Sequence, residues 1–213
     1  VITYPLPLSF LDGFPGWSTS FELAYRQEQS RTANGRTVVK DLGSPLWTMS
    51  VQSRSLSINE LDEWRARLES LENGLKTFRA FSKSRCYPIA YPNGSWPTGG
   101  AFGGQGTLYA VNENRKAVMV SAFPVGFRLS VGDLIQIGPA NLHRVMEAAT
   151  VDGTGRSPEF EVRPHLWPAS AVNDPVLVKQ PSCVMAIVPG SISSQADLTT
   201  GRGVISFQAM EAR

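Results

Sequence analysis

The sequence predicts a mainly β protein carrying one α-helix, and three observations predict it. Short segments with apolar and polar residues in strict alternation recur along the 213 residues, the period of a strand buried on one face. Nineteen glycines and fifteen prolines are spread through the chain, which suits many turns between short strands. Only one segment has a helical apolar period together with its capping residues. The length allows one large β unit or two small domains, with enough chain to bury a core without a metal or a disulfide.

Taken in order, Val1 to Phe10 is apolar but broken by Pro5 and Pro7, and it lacks the basic start of a secretory signal. Phe21, Leu23 and Tyr25 alternate with Glu22, Ala24 and Arg26, and Asn34-Gly35 then precedes the β-branched Thr37, Val38 and Val39, so this stretch reads as a hairpin. Trp47, Met49 and Val51 make the next strand. Ser57 and Glu60 have the spacing of a capping box, and Asp62 and Glu63 place negative charge at the positive end of the helix. Leu61, Trp64, Leu68 and Leu71 follow at steps of three, four and three, a narrow stripe suited to lying on a sheet. Glu63 can pair with Arg67 on the outer side, and Asn73-Gly74 ends the helix.

Leu75, Phe78 and Phe81 suggest another strand. Arg85 to Gly106 is then rich in proline and glycine and marks the place for a domain junction. Strands are expected at Leu108 to Val111, Ala117 to Phe123 and, after a turn at Gly132-Asp133, Leu134 to Ile137. Leu142 to Val151 is expected to pair with Glu159 to Arg163 across Asp152 to Gly155, as a hairpin of a small barrel or sandwich. Cys183 to Val188 is a continuous apolar run, that of a strand covered on both faces or, at six residues, of a buried helical turn. Ile205, Phe207 and Ala209 alternate with Ser206, Gln208 and Met210 in a final strand that requires a partner.

Charge and motifs argue against several functions. Twenty basic residues are dispersed among eighteen acidic ones, a formal charge of +2, without the Lys/Arg cluster of a nucleic-acid or membrane-surface binder. No apolar run reaches the length of a membrane helix. Two histidines, His143 and His165, are too few for a site built on several imidazoles, and His143 reads as a structural residue of a strand. Cys86 and Cys183 fit no metal spacing and read as thiols in preference to a disulfide. The glycine-rich segment from Gly99 to Gly106 lacks the following helix that a phosphate-binding loop requires. No nucleophile elbow occurs, and Asp62, Glu63, Glu159, Glu161 and Asp133 are better explained by helix, strand and turn than as acid-base pairs. No catalytic, cofactor-binding or metal site is therefore expected, and a small hydrolase using His143, Cys86 or a carboxylate is the weakest alternative. Trp17, Trp96 and Trp167 lie among proline and glycine, where each could anchor a core, contact a partner protein or stack on a sugar.

Several phrases resemble tail proteins of siphophages and prophages of proteobacteria. They are RTANGRTVVKDLGSPLW at residues 31–47, LDEWRARLESL at 61–71, RCYPIAYPNG at 85–94, VGDLIQI at 131–137, LHRV at 142–145 and EFEVRPH at 159–165. Size and layout are most similar to a distal tail protein. The resemblance implies a β-sandwich ring domain bearing one helix, residues 1–90 with 183–213, and an inserted OB-like or galectin-like β-domain, residues 91–182. It further implies a non-enzymatic virion protein, made in the host cytoplasm, whose six copies form a ring between the tail tube protein and the tail-tip hub of the baseplate. Receptor-binding or fibre proteins are further expected partners, and DNA would pass through the ring without specific binding. Contacts are expected at Asp12 to Trp17, Gln27 to Arg36 and Gly94 to Gly106. The alternative is a carbohydrate-binding module that touches the host surface through Trp96 or Trp167.

Overall fold

The computed structural model describes residues 2–98 and 102–213, without the side chains of Trp17 and Ser18. The chain is mainly β. It divides into two compact units, Val1–Arg79 with Val184–Arg213, and Ala80–Cys183. The first division falls at residues 79 and 80, not at 90 and 91, because the segment after it packs on the second unit's core.

In chain order the elements are α1 (Leu8–Asp12), β1 (Gly16–Ala24), β2 (Gln27–Arg31), β3 (Thr37–Asp41), β4 (Leu46–Ser53), α2 (Ile58–Glu69) and β5 (Thr77–Phe81). Then come β6 (Gln105–Val111), β7 (Ala117–Ser121), β8 (Arg128–Leu129), β9 (Leu134–Ile137), β10 (Asn141–Val145), β11 (Ala149–Thr150), β12 (Phe160–Arg163) and β13 (Pro175–Leu177). The chain closes with β14 (Ser182–Ile187), β15 (Ser193–Ala196) and β16 (Gly203–Glu211).

The first unit is built on a sheet of order β1-β4-β16-β14-β5, with β15 also paired to β16. The final strand is thus central. Its inward residues Ile205, Phe207 and Ala209 are buried beside Trp47, Met49 and Val51 of β4, with Phe207 opposite Val51 and Ala209 opposite Met49. The helix α2 lies against β16. Gly203 permits the close approach, since a Cβ there would stand 2.8 Å from Leu61 Cδ2 and 2.2 Å from the Gln195 carbonyl oxygen. The capping box forms as the spacing predicts: the Ser57 N–H donates to Glu60 Oε2 at 2.9 Å. That bond, the Ser57 hydroxyl and Arg54 hold the Glu60 carboxyl down to about 2. Glu63 and Arg67 pair on the exposed side, and the Arg67 guanidinium lies 4.9 Å from the centre of the Trp64 ring. Asn73 and Gly74, both at positive φ, end this region.

A second, five-residue helix lies where the two N-terminal prolines suggested only broken chain. Pro7 stands at the N-cap of α1, where a missing N–H costs no helical bond. The helix delivers Phe10 to the core, and Phe14 follows directly. Phe14 lies 4.9 Å from Trp64 and 5.6 Å from Phe207, and Phe10 lies 5.4 Å from Phe78, mostly edge to face.

The second unit is a closed barrel of order β10-β12-β7-β6-β13-β9, with a side pair β8-β11. Leu108, Val118, Val120, Ile135, Ile137, Val145, Phe160, Val162 and Val176 fill it, all at most 1 % exposed. Gly106 is required by its neighbours: a Cβ there would meet the Phe123 ring at 2.2 Å. The expected pairing of Leu142–Val151 with Glu159–Arg163 joins Arg144 with Arg163 and Val145 with Val162, and ends at the Met146 N–H, which donates to the Glu161 carbonyl at 2.8 Å. Beyond it Ala149 and Thr150 turn aside to pair with β8. Cys183–Val188 was expected to be covered on both faces; β14 instead alternates, with Met185 and Ile187 buried and Val184 and Ala186 half-buried.

Candidate assembly surface

The β strands at the edge of the first unit follow from a pairing the sequence concealed. Strand β1 pairs with β4 over its whole length, Phe21 opposite Met49 and Leu23 opposite Trp47. The Asn34-Gly35 hairpin instead joins β2 to β3, with Gln29 opposite Val39 and Arg31 opposite Thr37. Its loop closes by Thr32 N–H donating to the Arg36 carbonyl at 2.9 Å, with Gly35 at φ 77°, a three-residue turn that needs glycine at that position. The Leu42 N–H donates to the Arg26 carbonyl at 2.8 Å and extends the β2–β3 pairing by one residue pair beyond Gln27 and Asp41.

The result is an arm. Every residue of β2 and β3 is exposed, including Val38 at 47 % and Val39 at 55 %. Tyr25 and Leu42 at its base are exposed as well. Phe21 and Leu23, which alternation marks as inward, are only half-buried in β1, because among the described residues no strand lies beyond β1. At the opposite end of the sheet Leu6 covers β5: its N–H donates to the Thr77 carbonyl and its carbonyl accepts from the Arg79 N–H, both at 2.9 Å.

The three tryptophans fall in different settings. Trp17 lies in β1, not in a loop, and its side chain is outside the described residues. Trp96 is half-buried on the barrel core, with ring centres of Phe102, Tyr91 and Phe127 at 5.2, 5.9 and 6.0 Å. Tyr91 stacks on Phe127 at 4.6 Å, and its hydroxyl accepts the Arg128 N–H at 2.8 Å. The proline-rich segment is therefore a strap on the barrel, which spacing alone could not reveal. Trp167 is half-buried in the loop after β12, where the Arg115 guanidinium donates to the carbonyls of Leu166, Trp167 and Ser170.

Asp133 fixes the strap. Its carboxylate, fully buried, accepts the Ile89 N–H and the Ser130 N–H, both at 2.7 Å. Burial pushes this carboxyl up, against the pull of those two bonds and of Arg85. The turn reading thus covered only half of its role. Glu211 in β16 is likewise raised by burial, while its Oε2 accepts the Trp47 N–H at 3.1 Å.

Other candidate residues are apart. His143 is buried with Nδ1 2.8 Å from the Pro164 carbonyl oxygen, so that nitrogen carries the proton. Cys86 and Cys183 are both thiols, and the Cys86 thiol faces the Lys83 carbonyl at 3.4 Å. Asp152 accepts Thr154 Oγ1 at 2.6 Å and the Arg156 N–H at 3.2 Å, bonds that lower its pKa and close the turn. A groove of about 390 Å³ on the barrel surface includes Asn112, Glu113, Met119 and Glu159, with the Asn112 amide donating to Glu159. Among the described residues no group of three or more His, Cys, Asp or Glu could hold a metal ion, and no helix is long and apolar enough to cross a membrane.

The fold and its exposed elements define a mainly β chain with an open sheet, a projecting β arm and a closed barrel. No family model matches this chain, and no curated protein sequence matches it.

Proposed function

We propose that the protein is a non-enzymatic assembly subunit of a phage tail tip, of the distal tail type. Six copies join in an adaptor ring between the tail tube protein and the tail-tip hub, with fibre or receptor-binding proteins as further neighbours. The first unit is the β-sandwich ring domain and the barrel the peripheral OB-like or galectin-like domain. In the virion the ring's opening passes DNA without binding it specifically.

The observation that carries this reading is the β2–β3 arm. An isolated two-stranded hairpin is marginal in water, and this one leaves all ten strand residues exposed while displaying two valines. A contact between subunits supplies the packing the arm lacks. Burying a valine fully is worth about 1.5–3 kcal/mol. The phage assignment rests on the resemblance of the sequence phrases. Trp96 favours the core-anchoring reading over a sugar platform, since aromatic rings surround it.

Light scattering after size exclusion, with negative-stain imaging, tests the reading. The expected result is a ring with six times the 23.2 kDa chain mass. A monomer at every concentration, both alone and mixed with tail tube protein, contradicts it.

A further inference from the structure

We infer that Asn34, in the turn of the β2–β3 hairpin, is a site of spontaneous covalent modification: the Gly35 nitrogen closes on its side-chain amide and converts it to aspartate and isoaspartate. The chemistry rests on the exposed turn and not on the ring reading above.

The reaction needs an asparagine followed by a residue with no side chain to shield the attacking nitrogen. The Gly35 nitrogen bonds to Asn34 Cγ, the Cγ–Nδ2 bond breaks, and ammonia leaves with the proton that the Gly35 nitrogen gives up. Water then opens the cyclic imide at either carbonyl. One opening restores the original chain path as aspartate, and the other routes the main chain through the side-chain carboxyl carbon as isoaspartate. The net change consumes one amide and one water and yields one carboxylate and one ammonium ion, so no other reactant is required.

Three Asn-Gly dipeptides occur, at residues 34–35, 73–74 and 93–94. Each glycine N–H donates to the carbonyl three residues back, that of Thr32 at 2.9 Å, Leu71 at 3.1 Å and Tyr91 at 3.2 Å. That bond must open in every case, so it does not separate the three sites. Their surroundings do. Asn73 Oδ1 accepts the Gly190 N–H at 3.0 Å, and a Cβ at Gly74 would stand 2.4 Å from the Ile187 carbonyl oxygen. A Cβ at Gly94 would stand 3.2 Å from the Tyr87 ring and 3.5 Å from Trp96 Nε1. At Gly35 no described atom lies within 4 Å of that point. Closing the imide turns the Asn-Gly peptide, a movement that packed neighbours resist at Gly74 and Gly94 and that solvent permits at Gly35. Residues 27–41 are all exposed, and a two-stranded hairpin without a core opens locally at little cost.

The product changes the hairpin. Arg31, Arg36 and Lys40 against Glu28 and Asp41 give residues 27–41 a formal charge of +1, and a carboxylate at position 34 brings it to zero. Isoaspartate also adds a main-chain carbon to the turn that sets Arg31 opposite Thr37.

Peptide mass mapping of the full chain, aged in mildly alkaline buffer with and without guanidinium, tests the site. In native protein, conversion at Asn34 is expected to run at least about tenfold faster than at Asn73 or Asn93, the ratio that one further hydrogen bond's worth of barrier gives. In denatured protein the three sites should convert at similar rates. Anion exchange of the aged native protein should show an acidic species that Asn34→Gln abolishes. Native conversion at Asn73 or Asn93 as fast as at Asn34, or Asn34 slowed by folding as strongly as those two, overturns the inference. So does an acidic species that persists undiminished in Asn34→Gln.

Discussion

The barrel and the open sheet solve the same problem in opposite ways. In the barrel each of six strands has a neighbour on both sides, the inward residues are at most a few per cent exposed, and no strand edge remains. In the sheet of the first unit, the β5 end is covered by Leu6, while the β1 end is open and continues into an arm without a core of its own. Closure makes the barrel complete as a single chain. The sheet leaves strand edge and arm exposed, and the proposed function rests on that exposure.

The largest expected effect comes from breaking either core. Phe160→Ala in the barrel and Phe207→Ala in the sheet should each cost about 3–5 kcal/mol. Thermal melts followed by hydrogen exchange should show that each change loosens its own unit first. Next, Asp133→Ala removes the acceptor of the Ile89 and Ser130 amides, which are only partly buried, at about 0.5–1.5 kcal/mol each. Faster exchange at Ile89 with the barrel strands still protected is the expected signature, and unchanged exchange there would remove Asp133 from its role in the strap. Ser57→Ala, which removes the α2 cap, should cost about 1 kcal/mol in a denaturant titration.

At the small end stands the change that separates folding from assembly. Val38→Lys with Val39→Lys alters exposed residues, so stability of the isolated chain should move by no more than about 0.5 kcal/mol. Assembly should nevertheless be lost. The pH response has two opposed parts. Glu60, Asp152 and Asp197 have lowered values, so their contribution is present above the usual carboxylate range and is lost as pH falls. Asp133 and Glu211 are raised by burial, so their contribution is present at low pH and is lost as pH rises through their folded-state values. Comparing Asp133→Asn and Glu60→Gln with the parent in melts from pH 3 to pH 7 should resolve the two signs.

Local rules made α2 and the central strands readable. Ser57, Glu60 and the Leu61-Trp64-Leu68 stripe specify the helix without reference to the rest of the chain, and Trp47, Met49 and Val51 specify β4 by alternation. Pairing was less accessible. Asn34-Gly35 marks a turn, but nothing local says that the turn serves β2 and β3 while β1 seeks β4, more than twenty residues away. Barrel closure depends on β13, three residues beginning with Pro175, too short for any period to register. The strap was hidden for a similar reason: Tyr91, Trp96 and Phe102 have loop spacing, and their common target Phe127 is distant in sequence. Gln27 to Arg36, expected as a contact loop, is instead β2 with its turn, and its exposure on every residue is a property of the fold.

Hydrogen exchange of the arm as a function of protein concentration tests the central claim most directly. The account predicts that amides of Gln27–Arg31 and Thr37–Asp41 exchange rapidly in dilute protein and become protected as the assembly forms. Rapid exchange of the arm in protein already assembled to full ring mass would contradict it.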